Sequence, residues 1–315
     1  MKEVAKITLY LAGAVLLAAL LSPWVFWTLG ALERWALANG LENWDPRYSS
    51  VVVNGPLDFF TTSFEQCFGG TLLLSALVVF LIAAHGFGKT TRRYLRLRPD
   101  PLPFRHLARG FLVTALLFAI TAGAYVLANV RHLQSPLPLG RLPSVLAMTA
   151  LIVLIREIVF RGGVLGSLLR VMRPVPALAW ATLLATAFQL LDPYNQPRVA
   201  HVSWLSGFHL LPHLFHAYRE PVTLLCGAAP AAALGWLYGY ARVRIDSLWM
   251  TIGLAWGVAF ANRTANLIEA SSRQILPWIG RDLVTGLVPL LPVMLAGFLV
   301  WRRLDYEEIL QKPRD

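Results

Sequence analysis

Charge is scarce in this chain of 315 residues: Asp, Glu, Lys and Arg together make 14%, where soluble proteins carry about a quarter. That shortage leaves too little polar surface to coat an aqueous globule. Cysteine is rarer still, with Cys67 and Cys226 alone and no CxxC, which excludes a disulfide scaffold and a zinc ribbon. All seven histidines precede Ala217, so the last hundred residues hold no imidazole. Heptads, low-complexity tracts and fixed-period repeats are absent as well.

What the chain has in abundance is hydrocarbon, with 57% hydrophobic residues and a mean hydropathy of +0.57. Eight apolar runs of membrane length follow one another: Ile7 to Leu32, Thr71 to Gly88, Gly110 to Val130, Leu142 to about Leu169, Pro174 to Leu191, Pro221 to Ala241, Ser247 to Asn262 and Leu283 to Trp301. They predict an all-α polytopic membrane protein of about eight transmembrane helices in a single domain, residues 1–315. The first run is too long for a secretory h-region, and the sole A-x-A lies beyond Glu33 and Arg34, so a first transmembrane helix is expected. The seventh run has 16 residues and spans about 24 Å, which calls for local thinning or a protein-lined end.

Basic residues exceed acidic ones by 11. With the N-terminus inside, 17 of the 28 basic residues fall in inner segments, a cluster of them at 89–109, and nine fall in outer ones. The excess is therefore read as a positive-inside signal, with both termini cytoplasmic in a cell membrane. The partner implied is anionic lipid of the bilayer, and nucleic acid is excluded. Residues 33–69 and 192–220 become outer loops. Cys67 and Cys226 then both lie at outer ends of spans, where a disulfide and two buried thiols are equally open.

Three charges stand inside a span: Arg156, Glu157 and Arg161. Intramembrane charges are expensive and mark functional sites by default. Glu157 and Arg161 are four apart with the acid first, the favourable order for an intrahelical pair. Either a site or a purely structural pair fits that spacing. Asp192, just before Pro193, either faces Arg156 across helices or ends its own helix. His213, His216 and Glu220, with His209, share one helical face and could hold zinc or another divalent metal. Pro212 argues against an unbroken helix there, and an interfacial amphipathic helix is the alternative. Asn262 continues the face of Ala255 and Ala259, as a displaced polar group or a helix-end partner.

The segment Arg156-Glu-Ile-Val-Phe-Arg-Gly162 resembles the E-E-x-x-x-R-G signature of the CAAX-type intramembrane proteases, the CPBP family of prenyl-protein and bacteriocin-processing enzymes. Ala187-Phe-Gln-Leu-Leu-Asp192 stands where that family has F-x-x-x-H. Leu234-Gly-Trp-Leu-Tyr238 and Ser247-Leu-Trp249 through Gly257 are similar to its G-W-L-Y and S-L-W blocks, so the resemblance covers 142–262. It implies a water activated by glutamates and histidines, or a metal in its place, with an asparagine at the oxyanion. This sequence keeps Glu157, Arg161 and Phe188. Arg156 replaces the first glutamate, Asp192 the first histidine, Ala255 the second histidine and Ala259 the asparagine.

Two functions follow from that pattern. The first is a catalytically degenerate member that binds a membrane-embedded peptide, lipid or protein partner in the old cavity. The second is a divergent endopeptidase with Glu157 as base, Asp192 as second acid, Arg156 and Arg161 beside them, and Asn262 or a histidine of the outer loop completing the site. A small transporter is a third class, which no inverted repeat supports.

Overall fold

The computed structural model describes residues 2–38, 63–86, 102–134, 137–191, 199, 201–214, 220–245 and 247–311. The protein is all-α and polytopic. Its long helices are α1 (Lys2–Ala38), α2 (Phe64–Gly86), α3 (Pro103–Leu127), α4 (Leu142–Glu157), α5 (Pro174–Leu190), α7 (Pro221–Ile245), α8 (Leu248–Ile268) and α9 (Leu290–Gln311), with a short α6 (Ser206–Leu210) between α5 and α7. Among the described residues, five stretches are long and apolar enough to cross a membrane: Val4–Leu32, Phe64–Ala83, Pro103–Leu127, Leu139–Leu168 and Pro221–Ile245. Pro174–Leu190 and Leu290–Arg302 are apolar but shorter.

Three features differ from the sequence expectation. The fourth run is not one continuous α-helix, because α4 passes into a π-helical segment, Ile158–Val164, before an α-helical turn at Leu165–Leu168. The seventh run does not stop at Asn262. Helix α8 has 21 residues and reaches about 31 Å, but its polar last turns leave it outside the stretches apolar enough to cross a membrane. Arg263 and Asn266 ended the apolar count without ending the helix, since a polar residue interrupts hydropathy and leaves backbone bonding intact. Finally, the eighth helix begins at Leu290, and residues 283–289 are turns tied to neighbouring segments, with Gly286 donating to the Cys226 carbonyl at 2.9 Å.

Helix α8 lies against both α3 and α4. Gly253 and Gly257 sit one turn apart on its α3 face, a small-xxx-small arrangement that lets backbones approach. A side chain at Gly253 would overlap the Leu107 carbonyl, and one at Gly257 would overlap the Thr114 hydroxyl and the Phe111 carbonyl. The Thr114 hydroxyl donates to the Leu254 carbonyl at 2.9 Å across the same contact. On the opposite side Trp256 Nε1 donates to the Leu146 carbonyl at 3.1 Å and to Thr149 Oγ1 at 3.2 Å, joining α8 to α4.

An antiparallel ribbon closes one end of the bundle, pairing β1 (Arg131–Leu133) with β2 (Glu269–Ser272). Buried Arg131 meets Glu269 at 2.7 Å, donates to the Arg281 carbonyl at 2.9 Å and lies over the Tyr125 ring. The ion pair thereby links the ends of α3 and α8. No hydropathy pattern marks three- and four-residue strands.

The cysteines are both buried free thiols. Cys67 Sγ lies 3.9 Å from the Ser22 carbonyl, and Cys226 Sγ lies 3.4 Å from that of Pro277.

The glycine contacts predict a graded stability series. Gly253→Val and Gly257→Val should each cost about 1–3 kcal/mol or more through overpacking, measured as a lower thermal midpoint in detergent. Gly13→Val, where no atom lies within 4 Å of an added methyl, should leave the midpoint nearly unchanged. Equal shifts at all three positions would contradict the close α3–α8 approach.

Candidate functional site

The site begins with one acid and two guanidiniums on consecutive turns. Glu157 ends α4 and is fully buried, at 0% exposure. Arg161, in the π-helical segment, approaches Glu157 Oε2 through Nε at 3.4 Å, and Arg156 Nε lies 3.9 Å from Oε1. Neither carboxylate oxygen has a hydrogen-bond partner among the described residues. The acid is thus held electrostatically between two cations.

Arg161 is fixed on its other sides by α7. Its Nη2 donates to the Gly235 carbonyl at 3.3 Å, and its guanidinium carbon stands 5.2 Å from the centre of the Tyr238 ring. Gly235 and Tyr238 are three apart, so one helical face supplies both contacts. This explains Gly-Trp-Leu-Tyr as a spacing. Glycine lets α7 close on Thr182 of α5 and on Arg161, and the tyrosine places a ring face beneath the cation. The π-helical turn carries Gly163 to a point where a side chain would strike the Phe80 ring of α2. Such wide turns recur at functional positions in helices.

A cavity of about 500 Å3 adjoins this cluster. Arg156, Arg161, Tyr238, Ala259 and Asn262 all line it, together with Phe188, whose ring meets that of Phe160 edge-on at 5.1 Å. Glu157 is not among the lining residues, nor is Ala255, which is wholly buried. Ala259 therefore faces the cavity, while Ala255 faces protein. Leu74 of α2 and Leu151 of α4 line the cavity and are 41% and 52% exposed, so the cavity is open where these two helices border it.

Asn262 stands at this wall with its side-chain carbonyl accepting the Leu283 amide at 2.9 Å. Asn266 similarly donates to Asp282 at 3.0 Å. Both asparagines tie the 273–289 segment to the end of α8, the helix-end role, and Asn262 alone also borders the cavity.

Asp192 and His216 lie outside the described residues, and with them the Arg156–Asp192 pair and a complete His213, His216, Glu220 set. His209 lies in the last turn of α6, and His213 ends a separate 3-10 turn, Leu211–His213. Both histidines are exposed, whereas Leu210 and Leu214 are buried. The break falls at Pro212, and the pattern is that of an amphipathic segment packed on α1, where a side chain at Gly207 would overlap the Ala19 carbonyl. Among the described residues no three His, Cys, Asp or Glu side chains are grouped to hold a metal.

Tyr238 and the α2 wall were given no role in the sequence reading. The i, i+3 spacing of Gly235 and Tyr238 was a signal for the tyrosine. Nothing local signals α2, because its contribution depends on how helices distant in sequence assemble.

Residues 138–261 match the family model described as type II CAAX prenyl endopeptidase Rce1-like. Neither curated proteins nor solved structures give a match. Through that segment, which contains the charged cluster and most of the cavity wall, the chain is similar to the type II CAAX prenyl endopeptidases that the model describes.

Proposed function

We propose that this protein is a CAAX-protease-like membrane protein that has lost peptide hydrolysis and works by binding a membrane-embedded peptide, lipid or protein partner in the cavity. The observation that carries the reading is the position of Glu157. A general base must reach the attacking water at hydrogen-bond distance. Glu157 instead has no exposed surface, lies off the cavity wall and faces Arg161 and Arg156 with its two oxygens. It serves as a counter-ion that positions the arginines.

The missing groups point the same way. Ala255 and Ala259 replace a histidine and an asparagine, and each such group contributes about 10² to 10⁴ in rate. The divergent endopeptidase is the second reading, favoured by Asn262 at the cavity wall. It requires Asp192 as second acid and a rearrangement that uncovers Glu157. In either case we place both termini in the cytoplasm and the protein in the cell membrane, from the distribution of Lys and Arg.

Two measurements follow. The reconstituted protein, offered a library of membrane peptides, should release no product that depends on Glu157. Cleavage by the wild type that is lost in Glu157→Ala would establish the peptidase instead. Glu157→Ala should also lower stability by about 3 kcal/mol or more, because it leaves a buried guanidinium uncompensated. Glu157→Ala with Arg161→Leu should recover much of that loss. A double variant as unstable as the sum of its singles would remove the counter-ion role.

A further inference from the structure

The cavity wall is cationic. Arg156, Arg161 and Arg263 line it, while the acid of the cluster does not. Arg161 is engaged by Glu157, the Gly235 carbonyl and the Tyr238 ring. Arg156 is placed differently. It meets Glu157 only at 3.9 Å, its side chain is 29% exposed, and its buried Nε has no hydrogen-bond partner among the described residues. One carboxylate shared between two guanidiniums leaves the pair with net positive charge, which a low-dielectric site disfavours. An anion at Arg156 would offset it, and a planar guanidinium suits an oxyanion with two oxygens.

A second group points at the same place. Tyr238 lines the cavity, is 2% exposed, and its hydroxyl has no hydrogen-bond partner among the described residues. It offers a donor beside the arginines. Elsewhere the wall is mainly hydrocarbon, including Leu72, Leu74, Leu151, Ile152 and Phe188, with Gln66, Thr149, Gln189 and Asn262 as its uncharged polar members, and Leu74 and Leu151 are exposed on it.

We propose that the cavity holds a single-chain anionic lipid, its carboxylate or phosphate headgroup at Arg156 and its acyl chain along the α2–α4 wall. The proposal rests on the binding reading of the site and names its ligand class. An extended peptide segment would bring a backbone N–H and C=O at every residue, each needing a partner where water is excluded. An acyl chain needs none, and it enters sideways from the bilayer. Arg156, standing in place of an acid, is the residue that selects the ligand.

The test uses the full-length protein in phosphatidylcholine nanodiscs with four probes: oleate, oleoyl lysophosphatidate, neutral monooleoylglycerol and an uncharged hydrophobic peptide. Both anionic probes, or one of them if the site distinguishes carboxylate from phosphate, should bind about tenfold or more tighter than the neutral lipid. Arg156→Gln should erase that preference, Arg156→Lys should retain part of it, and Leu151→Trp should weaken all lipid probes by narrowing the entry. Equal binding of neutral and anionic lipid, or an unchanged preference in Arg156→Gln, overturns the proposal while the cavity remains a binding site. Tighter binding of the peptide than of any lipid overturns it too. Anion binding that appears only in Asp192→Asn would assign Arg156 to Asp192 and likewise overturn it. Glu157-dependent cleavage of the peptide would instead remove the reading beneath it.

Discussion

A charge in hydrocarbon has no water to fall back on, and the Glu157–Arg161 pair is where this protein meets that constraint. Separating the two would leave a bare ion at membrane depth, so each must be held from several directions. Arg161 has Glu157, the Gly235 carbonyl and the Tyr238 ring. Those contacts require α7 to lie close to the π-helical segment, and Gly235 allows it. The geometry that makes the ion pair tolerable also turns the carboxylate away from the cavity. On the proposed reading, stability and the absence of hydrolysis share one physical origin, since a carboxylate used as a counter-ion is withdrawn from water.

Apolar side chains cannot drive helices together in lipid as they do in water, so close approach and hydrogen bonds carry the assembly. Helix α8 illustrates this on both sides, through Gly253, Gly257 and the Thr114 hydroxyl toward α3, and through the Trp256 indole toward α4. Ala255 and Ala259 lie on the same helix only four residues apart, yet they meet different surroundings. One is packed against protein and the other borders the cavity. A histidine returned at Ala255 would face a filled core, and an asparagine returned at Ala259 would face the cavity. The two alanines are therefore not equivalent losses.

The apolar runs were legible in the sequence because a lipid-facing helix needs about twenty residues whose side chains require no water. Glu157 and Arg161 were legible for the converse reason, as charges in such a run. The signature blocks located 142–262, and the match at 138–261 covers nearly the same residues. What stayed hidden depends on long-range assembly. The π-helical turn sets Gly163 against Phe80, some eighty positions away. The length of α8 was concealed by Arg263 and Asn266, whose polarity serves the end of the bundle. Spacing put Glu157 at the depth of the cavity, but helical rotation decides whether a side chain points into it. Asn262 showed the same ambiguity, with its carbonyl bound to Leu283 while its side chain still borders the cavity.

Reaction of single introduced cysteines with a small thiol reagent, in a Cys67→Ser, Cys226→Ser background, measures most directly which positions face the cavity. Ala259→Cys should be modified readily, while Ala255→Cys and Glu157→Cys remain protected in the folded protein. Modification of Glu157→Cys as fast as Ala259→Cys would place the carboxylate within reach of water and contradict its role as a sequestered counter-ion.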